Sequence, residues 1–303
     1  MNRYASIDIG TNTILMVVAD LHDDGTLTPV YEGQKLPRLG KGVDANRAIT
    51  QDSIDRVIEV LHSFKHKAYE LHASKIFACG TSALRDARNC EEVLQIIKQK
   101  TDMHVEIISG EKEAEYTYYG ALSGVPQTNE PVGILDIGGG STELVVGKAG
   151  SMVSRSSIDI GCVRLTEQYF PVLPPAHSNI VAATNHINNF IREQSQNYKI
   201  DKLIGVAGTV TTLAAIVKQL EHFSPESIDN FTLSKETIDS LFSKFSGYSL
   251  EEMKRIPQII SGREDILLAG IIILKAYLSF LQQNSIIVSS RGLRYGQILA
   301  KKA

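Results

Sequence analysis

The feature that most constrains this chain is a turn that occurs twice. Gly133 to Val146 reads as an apolar strand, a glycine turn and a second apolar strand, with Gly138, Gly139, Gly140, Ser141 and Thr142 set between Asp136 and Glu143. Ser6 to Val18 repeats that order: Asp8-Ile9-Gly10, then the hydroxyl-rich Thr11, Asn12 and Thr13, then another apolar run. Glycine amides can approach an anion closely and adopt backbone angles closed to other residues, so both turns suit phosphate. Asp136 and Glu143 bracket the second turn with charge suited to a divalent cation. Two such turns in matched contexts indicate a duplication, and 303 residues divide into two domains of moderate size, each able to bury its own core.

Composition narrows the partners. The formal net charge of -3 supplies no global field that would draw the chain to nucleic acid or an acidic membrane, so a bound polyanion needs a local basic patch. Cys79, Cys90 and Cys162 are odd in number and lack Cys-x-x-Cys spacing. They read as free thiols in a reducing, cytoplasmic setting and not as a zinc site. The first residues run straight into a strand pattern without a signal sequence, which agrees with that setting. Ile266 to Leu274 is the longest apolar run, but Lys275 cuts it far short of a membrane span, so a buried helix is expected.

The order of elements adds further anion-binding candidates. After the first meander, Leu36 to Gly42 breaks regularity with Arg38 and Lys41; this fits a polar surface loop or a phosphate contact. Thr50 is placed to cap a helix whose apolar face is Ile54, Val57, Ile58, Leu61, Phe64, Ala68 and Leu71. His62 and His66 on that helix lack a zinc-protease glutamate and read as a solvated face. A strand from Ser74 to Cys79 leads into Gly80-Thr81-Ser82 and Arg85. After a strand over His104 to Ile108, Ser109 can cap a helix whose first turn holds Glu111 and Glu113. Capping and dipole compensation account for those carboxylates, and a catalytic Glu113 at a strand end fits equally.

Gly124 to Pro131, polar with two prolines, is the natural linker, giving domains at 1–127 and 128–303. The meander then restarts, followed by Gly161 and Arg164, a helix over His177 to Gln196, and a strand entering Gly208-Thr209, a small-residue turn suited to phosphate at a helix N-terminus. Arg263 precedes the buried helix from Ile266 to Leu281. Arg291 and Arg294 follow a last strand over Ser285 to Ser289.

This layout resembles the duplicated ribonuclease H-like fold of actin, the sugar kinases and the heat-shock ATPases, which implies an α/β two-domain protein with an interdomain cleft. Within that superfamily the motifs Asp8-Ile9-Gly10-Thr11-Asn12-Thr13, Gly80 to Arg85, Ser109 to Ala114, Asp136 to Glu143, Gly208-Thr209 and Arg291 to Arg294 closely resemble the exopolyphosphatase/guanosine pentaphosphate phosphatase family, in its short two-domain form. The resemblance implies release of terminal phosphate from polyphosphate, or from the 5′ end of guanosine pentaphosphate, with Mg2+ or another divalent cation. It implies Glu113 as the base that activates water, Glu143 as a second catalytic carboxylate, and Asp8, Asp136 and Glu143 around the metal. Gly10 to Thr13, Gly138 to Thr142, Gly208, Thr209 and Arg85 would hold phosphate, and Arg38, Arg164, Arg263, Arg291 and Arg294 would steady further charge. Lys112 and Glu115-Tyr116 depart from the usual family run beside Glu113 and bear on local polyphosphate contacts. An acetate- or sugar-kinase-like phosphotransferase is the alternative of another class. No membrane or nucleic-acid partner is expected, and a symmetric homodimer is the default assembly.

Overall fold

The computed structural model describes residues 2–126, 128–194 and 199–300. The chain divides into two compact units, Met1–Ser123 with Arg291–Ala303, and Gly124–Ser290.

In the first unit, β1 (Asn2–Ile9), β2 (Ile14–Leu21) and β3 (Leu27–Lys35) form an antiparallel meander. The short helix α1 (Val43–Asn46) and the long α2 (Gln51–Glu70) carry the chain back to β4 (Lys75–Gly80), which lies parallel to β1. Thr50 caps α2 by accepting from the Ser53 amide, and Ile54, Val57, Leu61, Phe64 and Ala68 are its buried face. His62 and His66 are exposed on the other side. After α3 (Ser82–Asp86) and α4 (Cys90–Thr101), the expected strand over His104 to Ile108 shrinks to β5 (Glu106–Ile107), because it pairs only with Cys79 and Gly80 at the end of β4. Helix α5 (Gly110–Leu122) follows, and the sheet order is β3-β2-β1-β4-β5.

The second unit repeats the plan. β6 (Val132–Ile137), β7 (Thr142–Lys148) and β8 (Ser151–Ile158) make the meander, then α6 (Cys162–Tyr169) and α7 (His177–Gln194) lead to β9 (Lys202–Val206), parallel to β6. Residues 195 and 196 of the expected α7 lie outside the described residues, as does Gln127 in the expected linker. Helices α8 (Ala207–Val217) and α9 (Pro225–Ile228), strand β10 (Thr232–Ser234), and helices α10 (Lys235–Phe245), α11 (Leu250–Lys254) and α12 (Leu267–Phe280) precede β11 (Ser285–Val288). The sheet reads β10-β11-β9-β6-β7-β8, so from β8 inward it reproduces the first order and adds β10 at the far edge. Two mixed sheets of ribonuclease H-like order make this a duplicated α/β fold. Helix α12 is the expected buried helix: Leu267, Leu268, Ile271, Ile272, Ile273, Leu274 and Leu278 are all inside the second unit's core. Among the described residues no helix is long and apolar enough to cross a membrane.

The division at 127/128 needs correction. The chain leaves the first unit after Ser123 and returns to it at Arg291, so α13 (Leu293–Leu299) belongs with the N-terminal strands. Tyr295 and Ile298 cover Val17, Ala19, Leu21 and Leu27, and Ser6 Oγ donates to Gln297 Oε1 at 2.6 Å. Two glycines permit this. A Cβ on Gly120 of α5 would stand 2.0 Å from the Gly292 carbonyl oxygen, and one on Gly296 would stand 1.8 Å from that of Tyr116. Two prolines and polar residues mark the first crossing in the sequence, whereas the second is the short Ser289-Ser290-Arg291-Gly292, which has no proline.

Candidate active site

The two repeated turns are the same object. In the first, the Gly10 amide donates to the Thr13 carbonyl at 3.0 Å; in the second, the Gly138 amide donates to the Ser141 carbonyl at 3.0 Å. Each is also pinned from behind by the segment after its third strand. The amides of Arg38 and Gly40 donate to Asn12 O and Thr11 O, and the amides of Cys162 and Val163 donate to Gly138 O and Gly139 O. Gly40 and Gly161 make this approach possible, since a Cβ would lie 2.3 Å from Thr11 Cγ2 in one case and 2.3 Å from the Gly139 backbone in the other. With these carbonyls taken up, the shape of each turn is set before any ligand arrives. Arg38 turns this corner in a left-handed conformation, φ 55°, which few residues with a side chain adopt.

Strand register decides which carboxylates share a face. Asp136 stands directly opposite Glu143, and Glu143 directly opposite Ser157, so the three form a row across β6, β7 and β8. Facing residues in such a row have Cβ atoms about 5 Å apart, and like charges there repel. Glu143 is only 1% exposed, and Ser157 Oγ donates to its Oε1 at 2.7 Å. The corresponding row in the first unit is Asp8, Leu15 and Gln34. The second carboxylate is thus confined to the second repeat. Two adjacent carboxylates suit a hard cation that keeps water or phosphate oxygens for most of its shell, as magnesium does. Among the described residues no group of three or more potential ligands gathers. Magnesium therefore fits Asp136 and Glu143 only in that open manner.

Glu113 is resolved from its capping role. The cap of α5 is Ser109, whose hydroxyl accepts from the Lys112 amide at 3.2 Å. Glu113, one residue further on and 8% exposed, instead meets Arg85: Nη1 donates to Glu113 Oε2 at 3.2 Å and to the Ile108 carbonyl at 2.9 Å. One guanidinium thus ties the start of α5 to the strand end before it and fixes the carboxylate's direction.

At the start of α8, Ala207 is left-handed, φ 66°, and Gly208 and buried Thr209 follow. A Cβ on Gly208 would lie 1.0 Å from Arg263 Nη1, so the glycine exists to seat that guanidinium. Burial pulls the Arg263 pKa below its ordinary value. Gly208→Ala is expected to displace Arg263, raising KM for an anionic substrate about tenfold with little change in Tm, because a flexible side-chain end must move and no backbone must. Steady-state kinetics beside a thermal melt checks this. Arg164 lies in the first turn of α6, just past Gly161. Arg291 donates to the Ser123 carbonyl and stacks on Tyr295. Arg294 is buried, donating to Glu32 Oε1 at 2.6 Å beside the Tyr295 hydroxyl, so its charge is answered within its own unit.

Sequence reasoning missed Ser157, Gly40 and Gly161, and also Tyr277 on α12. The Tyr277 side chain is fully buried and its hydroxyl has no hydrogen-bond partner among the described residues. Burial pushes its phenol pKa up, and the charge of Glu143 adds to that rise.

A profile of the Ppx/GppA phosphatase family matches residues 17–302. The chain belongs to that family. Among curated relatives it is 30% identical to a bifunctional 3-dehydroquinate synthase/phosphatase of Fusobacterium nucleatum, over 97% of this chain and 46% of the relative. It is 27% identical to exopolyphosphatase 2 of Mycobacterium tuberculosis, over 91% and 89% of the two chains. A guanosine-5'-triphosphate,3'-diphosphate pyrophosphatase of Vibrio vulnificus is 29% identical, over 97% of this chain and 58% of the relative. The chain therefore spans about half the length of two of these relatives and most of the third. Among solved structures, the Aquifex aeolicus PPX-GPPA enzyme superposes with a TM-score of 0.83 at 32% identity, covering 99% of each chain.

Proposed function

We propose that this Ppx/GppA chain is a phosphoric anhydride hydrolase that releases terminal orthophosphate from inorganic polyphosphate. The observation that carries the reading is the Arg85–Glu113 pair, which aims a buried carboxylate without using it as a helix cap. In the reaction, water oxygen bonds to the terminal phosphorus as the bridging P–O bond breaks. Glu113 takes the water proton, and the shortened chain leaves with the bridging oxygen and its electron pair. Phosphoryl transfer needs charge neutralisation and alignment more than a protein nucleophile, and the preset glycine turns together with the Arg85 and Arg263 guanidiniums suit both. Asp136 and Glu143 would hold a magnesium ion, which supplies positive charge to the phosphate oxygens.

The 5′ phosphate of guanosine pentaphosphate presents the same terminal group, and the Vibrio relative's name supports it as the second substrate. Orthophosphate release from each compound, with magnesium and with a chelator, tests the reading. Hydrolysis of either supports it; no release from both, or ATP consumption only in the presence of an acceptor, sinks it.

A further inference from the structure

We propose that Arg56 on α2 is a positioning residue for the first glycine turn, acting on it through the Pro37 carbonyl. The inference rests on the reading of that turn as a holder of phosphate and names a side chain that keeps it in shape. The segment after β3 is only partly a polar surface loop, because Pro37, Leu39 and Gly40 are buried. Its Arg38 and Gly40 amides donate to Asn12 O at 3.1 Å and to Thr11 O at 2.7 Å, so a shift of this segment releases the carbonyls of the turn. The left-handed Arg38 stands within that grip, and such a conformation persists only where its surroundings enforce it.

Arg56 provides a hold on the residue just before it. Proline has no amide hydrogen, so its carbonyl is the only backbone group by which buried Pro37 can be held, and a buried carbonyl requires a donor. Arg56 Nε donates to it at 2.8 Å. The rest of the guanidinium is fastened to α2 itself: Nη2 donates to Ser53 Oγ at 2.9 Å, and Nη1 pairs with the exposed Asp52. Buried Ser53 in turn belongs to the helix cap, its amide donating to Thr50 Oγ1 at 3.3 Å and its hydroxyl accepting from that oxygen at 3.1 Å. A fixed helix start is thereby joined to the loop that grips the turn. The second repeat pins its turn in another way. There the donor amides are those of Cys162 and Val163, the first of α6, and the helix itself fixes them. In the first repeat the donor amides lie in irregular chain ahead of α1, and an arginine from α2 takes the part of the missing helix.

Arg56→Met, which keeps an apolar stem and removes the donors, and Arg56→Lys, which returns one donor, test the proposal. Native-state hydrogen exchange, read without substrate, is expected to quicken about tenfold at the Arg38 and Gly40 amides of Arg56→Met while the amides of β1 exchange as in wild type. Tm should fall by no more than about 4 °C. KM for polyphosphate is expected to rise about tenfold with kcat within about twofold of wild type, because a loosened turn weakens binding of substrate and transition state alike. Arg56→Lys should recover part of both changes. Unaltered exchange at the Arg38 and Gly40 amides overturns the inference. Equal quickening across β1 and α2 also overturns it, since Arg56 would then be a general stabiliser, and so does an unaltered KM beside quickened exchange. If wild type releases no orthophosphate from either substrate, the proposed function fails separately, and the exchange rates alone decide whether Arg56 positions the turn.

Discussion

Glu113→Gln is expected to reduce orthophosphate release by about a hundred- to ten-thousandfold, the usual contribution of a positioned general base. The fold should hardly respond. Glutamine keeps an oxygen that can accept from Arg85 Nη1, and the α5 cap is made by Ser109 and the Lys112 amide, which the substitution leaves alone. The comparison separates two roles that the residue could have had. A carboxylate present only for ion pairing would lose stability and leave kcat untouched. A base would lose kcat and leave the melting temperature within a degree or two. Single-turnover phosphate release from polyphosphate, measured beside thermal unfolding, distinguishes the two, and equal rates for both proteins would remove Glu113 from the mechanism.

Gly296→Ala is expected to destabilise the protein by about 1–3 kcal/mol or more, the range for forcing extra volume into a packed interior. Intrinsic propensity points the other way, since alanine is better than glycine inside a helix by about 1 kcal/mol. The clash decides the sign. The new methyl would meet the Tyr116 carbonyl oxygen at 1.8 Å, and a backbone atom within a helix has no rotamer by which to withdraw. Helix α13 must then move away from α5, loosening the Ser6–Gln297 hydrogen bond and the cover over Val17 and Ala19. A lower urea midpoint and faster proteolysis near Arg291 are the expected readouts; a midpoint equal to wild type would show that the two helices separate at no cost.

The parts of the molecule that were legible in the sequence are those fixed by short-range pattern. Asp8-Ile9-Gly10 and Asp136 to Glu143 announced the duplication, and the turns they predict close with the same hydrogen bond, from Gly10 to Thr13 and from Gly138 to Ser141. The amphipathic face of α2 and the buried α12 followed from spacing and apolar length. What stayed hidden depends on registration between distant segments. Counting back from the Ala149-Gly150 turn pairs Glu143 with Ser156, and only the bulge after Val146 corrects this to Ser157. Tyr277 sits in an apolar helix and reads as core filling until its hydroxyl is found without a partner. Arg294 illustrates the opposite error. An arginine after a strand end looks available to an anion, but Glu32, far away in sequence, already accepts from it.

The return of α13 to the first unit bears on how the protein is made. The strands synthesised first are covered by a helix synthesised after all of Gly124–Ser290. At ordinary ribosomal speed that interval is on the order of ten to thirty seconds. Throughout it Val17, Ala19, Leu21 and Leu27 lack Tyr295 and Ile298, so a nascent chain shows an apolar patch to chaperones. The unbroken second unit has no such delay. The unit whose strands are translated first is therefore the last to be completed.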